Sequence, residues 1–230
     1  MVDGGKTTIM PVHQILKRKE RKVFISKREL AQSGKKFYKF FFRKRRSENK
    51  YWSPMSENTI TYNSNNSEVE GIFFAEEANV MRWFDLGDTL VEVIFDKDHP
   101  SYKDLPDRYF YEAGKYCGSA IFCGKFIPID SDEMFEFIKT HSEITRSTIN
   151  HMQHHLIYVR AFNTLQKLWE YKYSLFGDGD RKTDEENAGI ILRSHYRDYH
   201  DLDMDRIISC ETFADLIMLF PEDKWDFCCS

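Results

Sequence analysis

Gly71-Ile72-Phe73-Phe74-Ala75 and Thr89-Leu90-Val91-Glu92-Val93-Ile94-Phe95 are the two runs on which the fold turns. Both are short, apolar and rich in β-branched or aromatic side chains, a composition that suits a pleated surface buried on at least one face. Between them, Glu76 to Phe84 carries Val80, Met81, Trp83 and Phe84 at helical spacing, and Gly87 stands where a helix C-cap is expected. Strand, crossing helix, strand is therefore the centre of the expected fold.

Upstream, Lys36 to Phe42 concentrates Phe37, Tyr38, Phe40, Phe41 and Phe42 and reads as a strand. Ser26-Lys27-Arg28-Glu29 has the spacing of a capping box and Ser33-Gly34 supplies a stop, which predicts a short helix between them. Val12 to Ile25 mixes Ile15-Leu16 with basic residues and reads as a short helix leading into a strand; residues 1–12, with Gly4-Gly5, read as a loose tail. Lys50 to Glu70 is polar and reads as loop with one short strand near Thr59–Tyr62, its Asn63–Ser67 run expected to be mobile.

Downstream, Asp98-His99-Pro100 closes a strand, and Ala120–Cys123 with Phe126–Ile129 predicts another strand, or a bulged pair around Gly124. Asp130-Ser131-Asp132-Glu133 caps a helix through about Thr140. Residues 145–176 carry Ile149, Met152, Leu156, Val159, Phe162, Leu165, Leu168 and Trp169, an amphipathic stripe about 48 Å long if unbroken. Gly177-Asp178-Gly179-Asp180 ends it; a helix over Asn187–Tyr199 follows, then one capped by Thr212–Asp215 and stopped by Pro221. The expected class is α+β: a small mixed β-sheet with a crossing helix, followed by a helical C-terminal region. The expected parts are a basic arm with a short helix (1–35), an α+β core (36–130) and the helical region (131–230).

Composition narrows the function classes. With 19 Phe, 12 Tyr and 4 Trp in 230 residues, the chain carries too much apolar area for a disordered protein. No run approaches the roughly 18 apolar residues of a membrane span, and the first residues lack a secretory signal pattern, so secretion is not expected. The five cysteines, Cys117, Cys123, Cys210, Cys228 and Cys229, form no Cys-x-x-Cys pair, which fits a reducing compartment and inert thiols. The net charge of −4 conceals a division: residues 1–50 hold 16 Lys/Arg against 4 Asp/Glu, whereas the remaining 180 hold 17 against 33. The densest basic stretches are Lys17, Arg18, Lys19, Arg21 and Lys22, and Arg43, Lys44, Arg45 and Arg46. Such an arm suits phosphate backbones, through counterion release, or an acidic protein surface.

Motifs for chemistry are sparse. Gly4-Gly5-Lys6-Thr7 lacks the first glycine and the preceding strand of a phosphate-binding loop. His151 and His155 stand one helical turn apart, a spacing that can hold a metal, with His195, His200 or nearby aspartates as further ligands, but no glutamate occupies the catalytic position between them. Asp178-Gly179-Asp180 hints at a calcium loop, yet Gly189 stands where the bidentate Glu belongs, and Asp198, Asp201, Asp203 and Asp205 read as a solvated acidic loop. No nucleophile elbow, kinase set or dinucleotide fingerprint is present. No metal and no cofactor is expected.

From about 36 to 129, Phe37-Tyr38-Lys39-Phe40, Gly71-Ile72-Phe73-Phe74-Ala75, Trp83-Phe84-Asp85-Leu86-Gly87-Asp88 and Leu90-Val91-Glu92-Val93 follow one another in a characteristic order. This segment resembles the N-terminal domain that precedes ankyrin or pentapeptide repeats in giant-virus proteins, although no ankyrin repeats follow here. The resemblance implies a large cytoplasmic DNA virus as source and carries no catalytic residues. It implies a non-enzymatic structural or interaction protein, such as a minor capsid or internal protein. That protein would be located in the virion and the host cytoplasm, in the viral factory. Its partners would be other viral or capsid proteins, with nucleic acid as a further partner of residues 1–50 and the oligomeric state left open.

Gly71–Ala75 followed by a helix also resembles the strand that borders the nicotinamide pocket in ADP-ribosyltransferases. That family needs a His or Arg on an early strand and a Glu on a late one. Here the early strand offers Lys39 and Arg43, and Ala120–Ile129 has no Glu. An active or degenerate transferase-like fold acting in the infected cell, and a nucleic-acid-binding module, are the alternatives.

Overall fold

The computed structural model describes residues 23–42, 52–56, 59–62, 71–196 and 213–218. Both basic stretches (Lys17–Lys22 and Arg43–Arg46) lie outside these residues. So do Gly4–Thr7, Asn63–Ser67, the Asp198–Asp205 loop with His200, Cys210, Cys228, Cys229 and Pro221.

The fold is α+β. Among the described residues nine strands, β1 (Val23–Ser26), β2 (Phe37–Phe41), β3 (Trp52–Ser56), β4 (Thr59–Tyr62), β5 (Ile72–Glu76), β6 (Thr89–Ile94), β7 (Arg108–Glu112), β8 (Lys115–Gly118) and β9 (Ala120–Pro128), form one sheet in the order β1-β7-β8-β5-β2-β6-β9-β4-β3. Every pairing is antiparallel, so the mixed sheet expected from the sequence is corrected. The aromatic run at 36–42 and the two deciding segments all form strands, and β2 lies between β5 and β6. The bulge expected near Gly124 is present: the β6–β9 register slips by one residue between Val91↔Phe126 and Val93↔Cys123. β3 adds a strand where only loop was expected. β1 pairs with β7, so residues 23–26 belong to the sheet rather than to a separate arm.

The sheet is rolled. A single residue, Ser119, carries the chain from β8 to β9, which stand four places apart in the strand order. In a flat sheet that separation is about 19 Å, whereas one intervening residue spans only about 7 Å. Curling resolves the conflict, and the Tyr109 hydroxyl on β7 donates to the Ala120 carbonyl on β9 at 2.9 Å, inside the roll. The interior is filled by Phe37, Phe41, Ile72, Phe74, Val91, Val93, Phe95, Tyr109, Tyr116 and Ile121, with Leu30 closing one end. Leu30 comes from α1 (Lys27–Gln32), whose predicted capping box between Ser26 and Glu29 is complete.

The outer face carries a second core. Tyr38, Phe40, Ala75, Leu90 and Ile127 pack against Met134, Ile138, Ile149, Leu156, Leu165, Leu168 and Leu192 from the helices, so sheet and helical region share one core. Those helices are α2 (Asp132–His141), capped by Ser131 as expected, α3 (Arg146–Tyr158), α4 (Phe162–Phe176), α5 (Arg181–Tyr196) and α6 (Phe213–Met218). The single stripe expected over 145–176 is two helices. Arg160 adopts φ 59°, and the Arg160 and Ala161 N–H groups donate back to the Ile157 and Leu156 carbonyls. That is a Schellman stop built without glycine. The expected crossing helix is likewise corrected: Glu76 extends β5, and Val80–Leu86 is a tight 3-10 segment broken at Trp83. Gly87 is extended, not a left-handed cap; a Cβ there would overlap the Phe41 backbone.

Candidate functional site

Neighbouring strands β2 and β5 stay paired only at Phe37↔Glu76 and Tyr38↔Ala75. The Glu77 N–H donates to the Lys36 carbonyl at 2.9 Å, which fixes the alternation. Tyr38 and Phe40 turn their backbone polar groups toward β5, and Ala75 and Phe73 turn theirs toward β2. The pairing does not continue to Lys39 and Phe74 or to Phe40 and Phe73, so the strands separate there. A cleft of about 80 Å³ opens there on the outer face. Phe40, Phe73, Val80, Trp83 and Leu86 form its walls, with Lys39 and Lys115 beside them.

Both lysines have defined positions. Lys39 reaches across the gap and donates to the Phe73 carbonyl at 3.0 Å, taking up the acceptor that the ladder leaves. Loss of hydration lowers its pKa to about 8, opposed by the nearby Cys117 and Cys123 thiols. The Lys115 ammonium lies 4.5 Å from the Phe73 ring centroid and 5.2 Å from that of Trp83, a cation held on aromatic faces at the cleft mouth. The Trp83 indole N–H is buried and has no acceptor among the described residues, an arrangement that costs free energy unless something accepts from it. Tyr38, raised to about 12 by burial and by Glu77 and Glu92, stays protonated. The cleft is thus aromatic-walled, with two lysines beside it. Sequence reasoning missed Lys115 and Trp83 as partners, because β8 and the 3-10 segment meet only through the fold. Lys39 left a trace: alternation along β2 puts it on the interior side with Phe37 and Phe41.

The histidine pair divides. His151 is exposed, whereas His155 is buried, its Nε2 2.8 Å from the Gly87 carbonyl and its ring against Phe84. Burial lowers its pKa, the carbonyl contact opposing. The geometry makes His155 a tie between α3 and the segment before β6. Among the described residues no three His, Cys, Asp or Glu side chains gather as a metal site. Asp178 and Asp180 lie in a 3-10 turn that leads directly into α5, and α5 begins at Arg181, earlier than the sequence suggested.

A second polar constellation, also unread from the sequence, lies inside the helical layer. Lys172 on α4 is 2% exposed and donates to both Asp184 carboxylate oxygens, at 2.8 and 2.6 Å. The Tyr173 hydroxyl joins Asp184 at 3.0 Å, and Gln153 links the Trp169 indole to the Asp184 backbone. This network holds α3, α4 and α5 together.

An α+β protein with a rolled antiparallel sheet under a helical layer is the class these observations define. Comparison with protein-family models, with curated proteins and with solved structures returned no match. Among the described residues, no helix is long and apolar enough to cross a membrane.

Proposed function

We propose that this chain is a non-enzymatic docking protein for an acidic partner and, on the resemblance of residues 36–129, a structural component of a large DNA virus particle. The observation that carries the docking reading is the junction at residue 23. The basic run Lys17–Lys22 leads directly into β1, which among the described residues is the edge of the sheet, with β7 on one side. Val23 and Phe24 on that edge are 51% and 60% exposed. An open edge with apolar side chains is a template for an extended segment of another chain, and adjacent cations select an acidic one. The rolled sheet supplies the rigid body. Leu175, Phe176 and Ile190 add exposed apolar area on α4 and α5.

The test uses poly-glutamate and a DNA duplex as probes at low and high salt, with Lys17, Arg18, Lys19, Arg21 and Lys22 all replaced by serine in a second protein. Binding of poly-glutamate at about 50 mM salt that the replacement weakens supports docking. Tighter binding of the duplex with a steep salt dependence transfers the reading to a nucleic-acid module. Unchanged binding by the variant removes the basic run from the mechanism. Counting copies of the chain in purified particles against the major capsid protein tests the virion assignment.

The transferase-like reading has one observation in its favour: the cleft lies beside Phe73 and Phe74, where that resemblance puts a nicotinamide pocket. Its lining has Lys39 and Lys115 and, among the described residues, no carboxylate. Hydrolysis of NAD or self-modification in vitro would support it.

A further inference from the structure

We infer, on the docking reading above, that the groove between α1 and the segment leading into β7 seats an acidic stretch of a partner polypeptide, its carboxylates held by Arg28, Lys97 and Arg108. Docking then extends from Lys17–Lys22 onto the folded surface.

Lys27 builds the groove. Its backbone N–H donates to the Asp107 carbonyl at 3.1 Å, and its ammonium donates to the Leu105 and Tyr102 carbonyls at 2.8 and 3.3 Å. The same ammonium pairs with the Asp107 carboxylate at 3.3 Å. α1 is thereby fixed to the segment before β7, and Ser26 stands opposite Arg108 in the β1–β7 ladder. The open groove, about 610 Å³, has Lys27, Arg28, Lys97 and Arg108 as its charged lining against a single carboxylate, Asp107. Arg28, Lys97 and Arg108 are exposed and have no carboxylate partner among the described residues. The acidic groups nearest in sequence are engaged: Glu29 accepts from the Ser26 N–H and hydroxyl, and Asp96 accepts from the Asp98 N–H. Elsewhere cations are paired, Lys35 with Glu76, Lys125 with Glu133, Lys139 with Glu136, Lys167 with Asp132 and Arg181 with Glu170. In a chain of net charge −4, three cations left together without partners mark a place for an outside anion.

The surroundings choose among anions. A groove of this size is in the range that takes up a large ligand, far more than one inorganic ion needs. A phosphate backbone would bring its charges against Asp107, whose side chain is 92% exposed. A peptide can instead offer that carboxylate an N–H. Ser26 ends β1, an edge among the described residues with Val23 and Phe24 exposed, so the groove adjoins backbone and apolar groups that an extended peptide uses and a duplex does not. The planar forks of Arg28 and Arg108 match carboxylates two bonds at a time.

Fluorescence anisotropy of labelled poly-glutamate with the full chain, at about 50 mM and about 300 mM salt, tests the assignment. Arg28→Gln, Lys97→Gln and Arg108→Gln combined are expected to weaken binding about tenfold at the lower salt and less than about twofold at the higher. Lys35→Gln, Lys125→Gln and Lys182→Gln combined, all exposed and away from the groove, change the net charge equally and should cost less than about twofold. Equal losses from the two sets overturn the groove, because affinity then follows net charge alone. A groove set without effect overturns it as well. If serine at Lys17, Arg18, Lys19, Arg21 and Lys22 then weakens binding, the docking reading stands without the groove. No binding of poly-glutamate by the parent overturns both. A DNA duplex that binds more tightly than poly-glutamate, and loses more from the groove set, overturns the peptide and assigns the groove to nucleic acid. Should the triple variant fail to fold, Arg28→Gln and Arg108→Gln singly, each expected to cost about twofold, decide.

Discussion

Two lysines sit inside this molecule and are treated differently. Lys172, between α4 and α5, faces a carboxylate that itself accepts from a tyrosine, so charge, counter-charge and hydrogen bonds all come from the fold. Lys39, in the parting between β2 and β5, donates to a peptide carbonyl, and its pKa falls to about 8. In the helical layer the fold completes its own electrostatics. In the sheet Lys39 meets a backbone acceptor instead, beside a cleft and a second lysine. A carboxylate partner makes Lys172 part of the core, and a carbonyl partner leaves Lys39 sensitive to pH.

The largest expected effect breaks the finished side. Asp184→Ala leaves the Lys172 ammonium buried and is expected to cost about 3–5 kcal/mol, read as a lower urea midpoint with an unchanged slope. Lys172→Met combined with Asp184→Leu should recover most of that loss, because no buried charge remains. A loss below about 1 kcal/mol for Asp184→Ala would show that Asp180, 3.8 Å from Lys172, takes over the pairing.

The open side is sharpened by pH. Lys39 titrates near 8 in the folded chain and near 10.4 when unfolded, so between these values the unfolded state holds more protons. Stability carried by Lys39 therefore rises with pH across that window and is lost as pH falls through about 8. The difference in unfolding free energy between the parent and Lys39→Met, measured from pH 7 to 10, should move in the parent's favour as pH rises. A flat difference would mean that Lys39 keeps its ordinary pKa. The smallest effect lies at the sheet's end: Ser26→Ala removes half of an exposed capping box and should cost about 1 kcal/mol, readable as faster amide exchange in α1.

Local chemistry was legible where one residue type settles one element. Phe37–Phe41, Thr89–Ile94 and the caps at Ser26 and Ser131 could be read directly, because strand composition and N-cap oxygens act over a few residues. Arg160 could not: glycine is the usual signal for a left-handed stop, and here packing imposes it on an arginine. The β7–β8 hairpin went unread for a similar reason. Its charged, tyrosine-rich strands lack a clean alternation, and its turn uses Ala113-Gly114, with Ala113 at φ 49°. The cleft was invisible because its parts come from β2, β5, β8 and the 3-10 segment, brought together by strand order alone.

That strand order has a kinetic side. Of the eight pairings among the described residues, only β3–β4 and β7–β8 join strands adjacent in sequence; β1 waits for β7, β2 for β5 and β6, and β4 for β9. During synthesis the aromatic strand β2 is therefore made before either neighbour, and the roll cannot close until Pro128, the last residue of β9, has been made. Pairings this distant make for slow folding with an exposed apolar intermediate. Closure of the sheet is thus a late, nearly all-or-none event, and the nascent chain is at its most vulnerable to aggregation while residues 37–128 are still emerging.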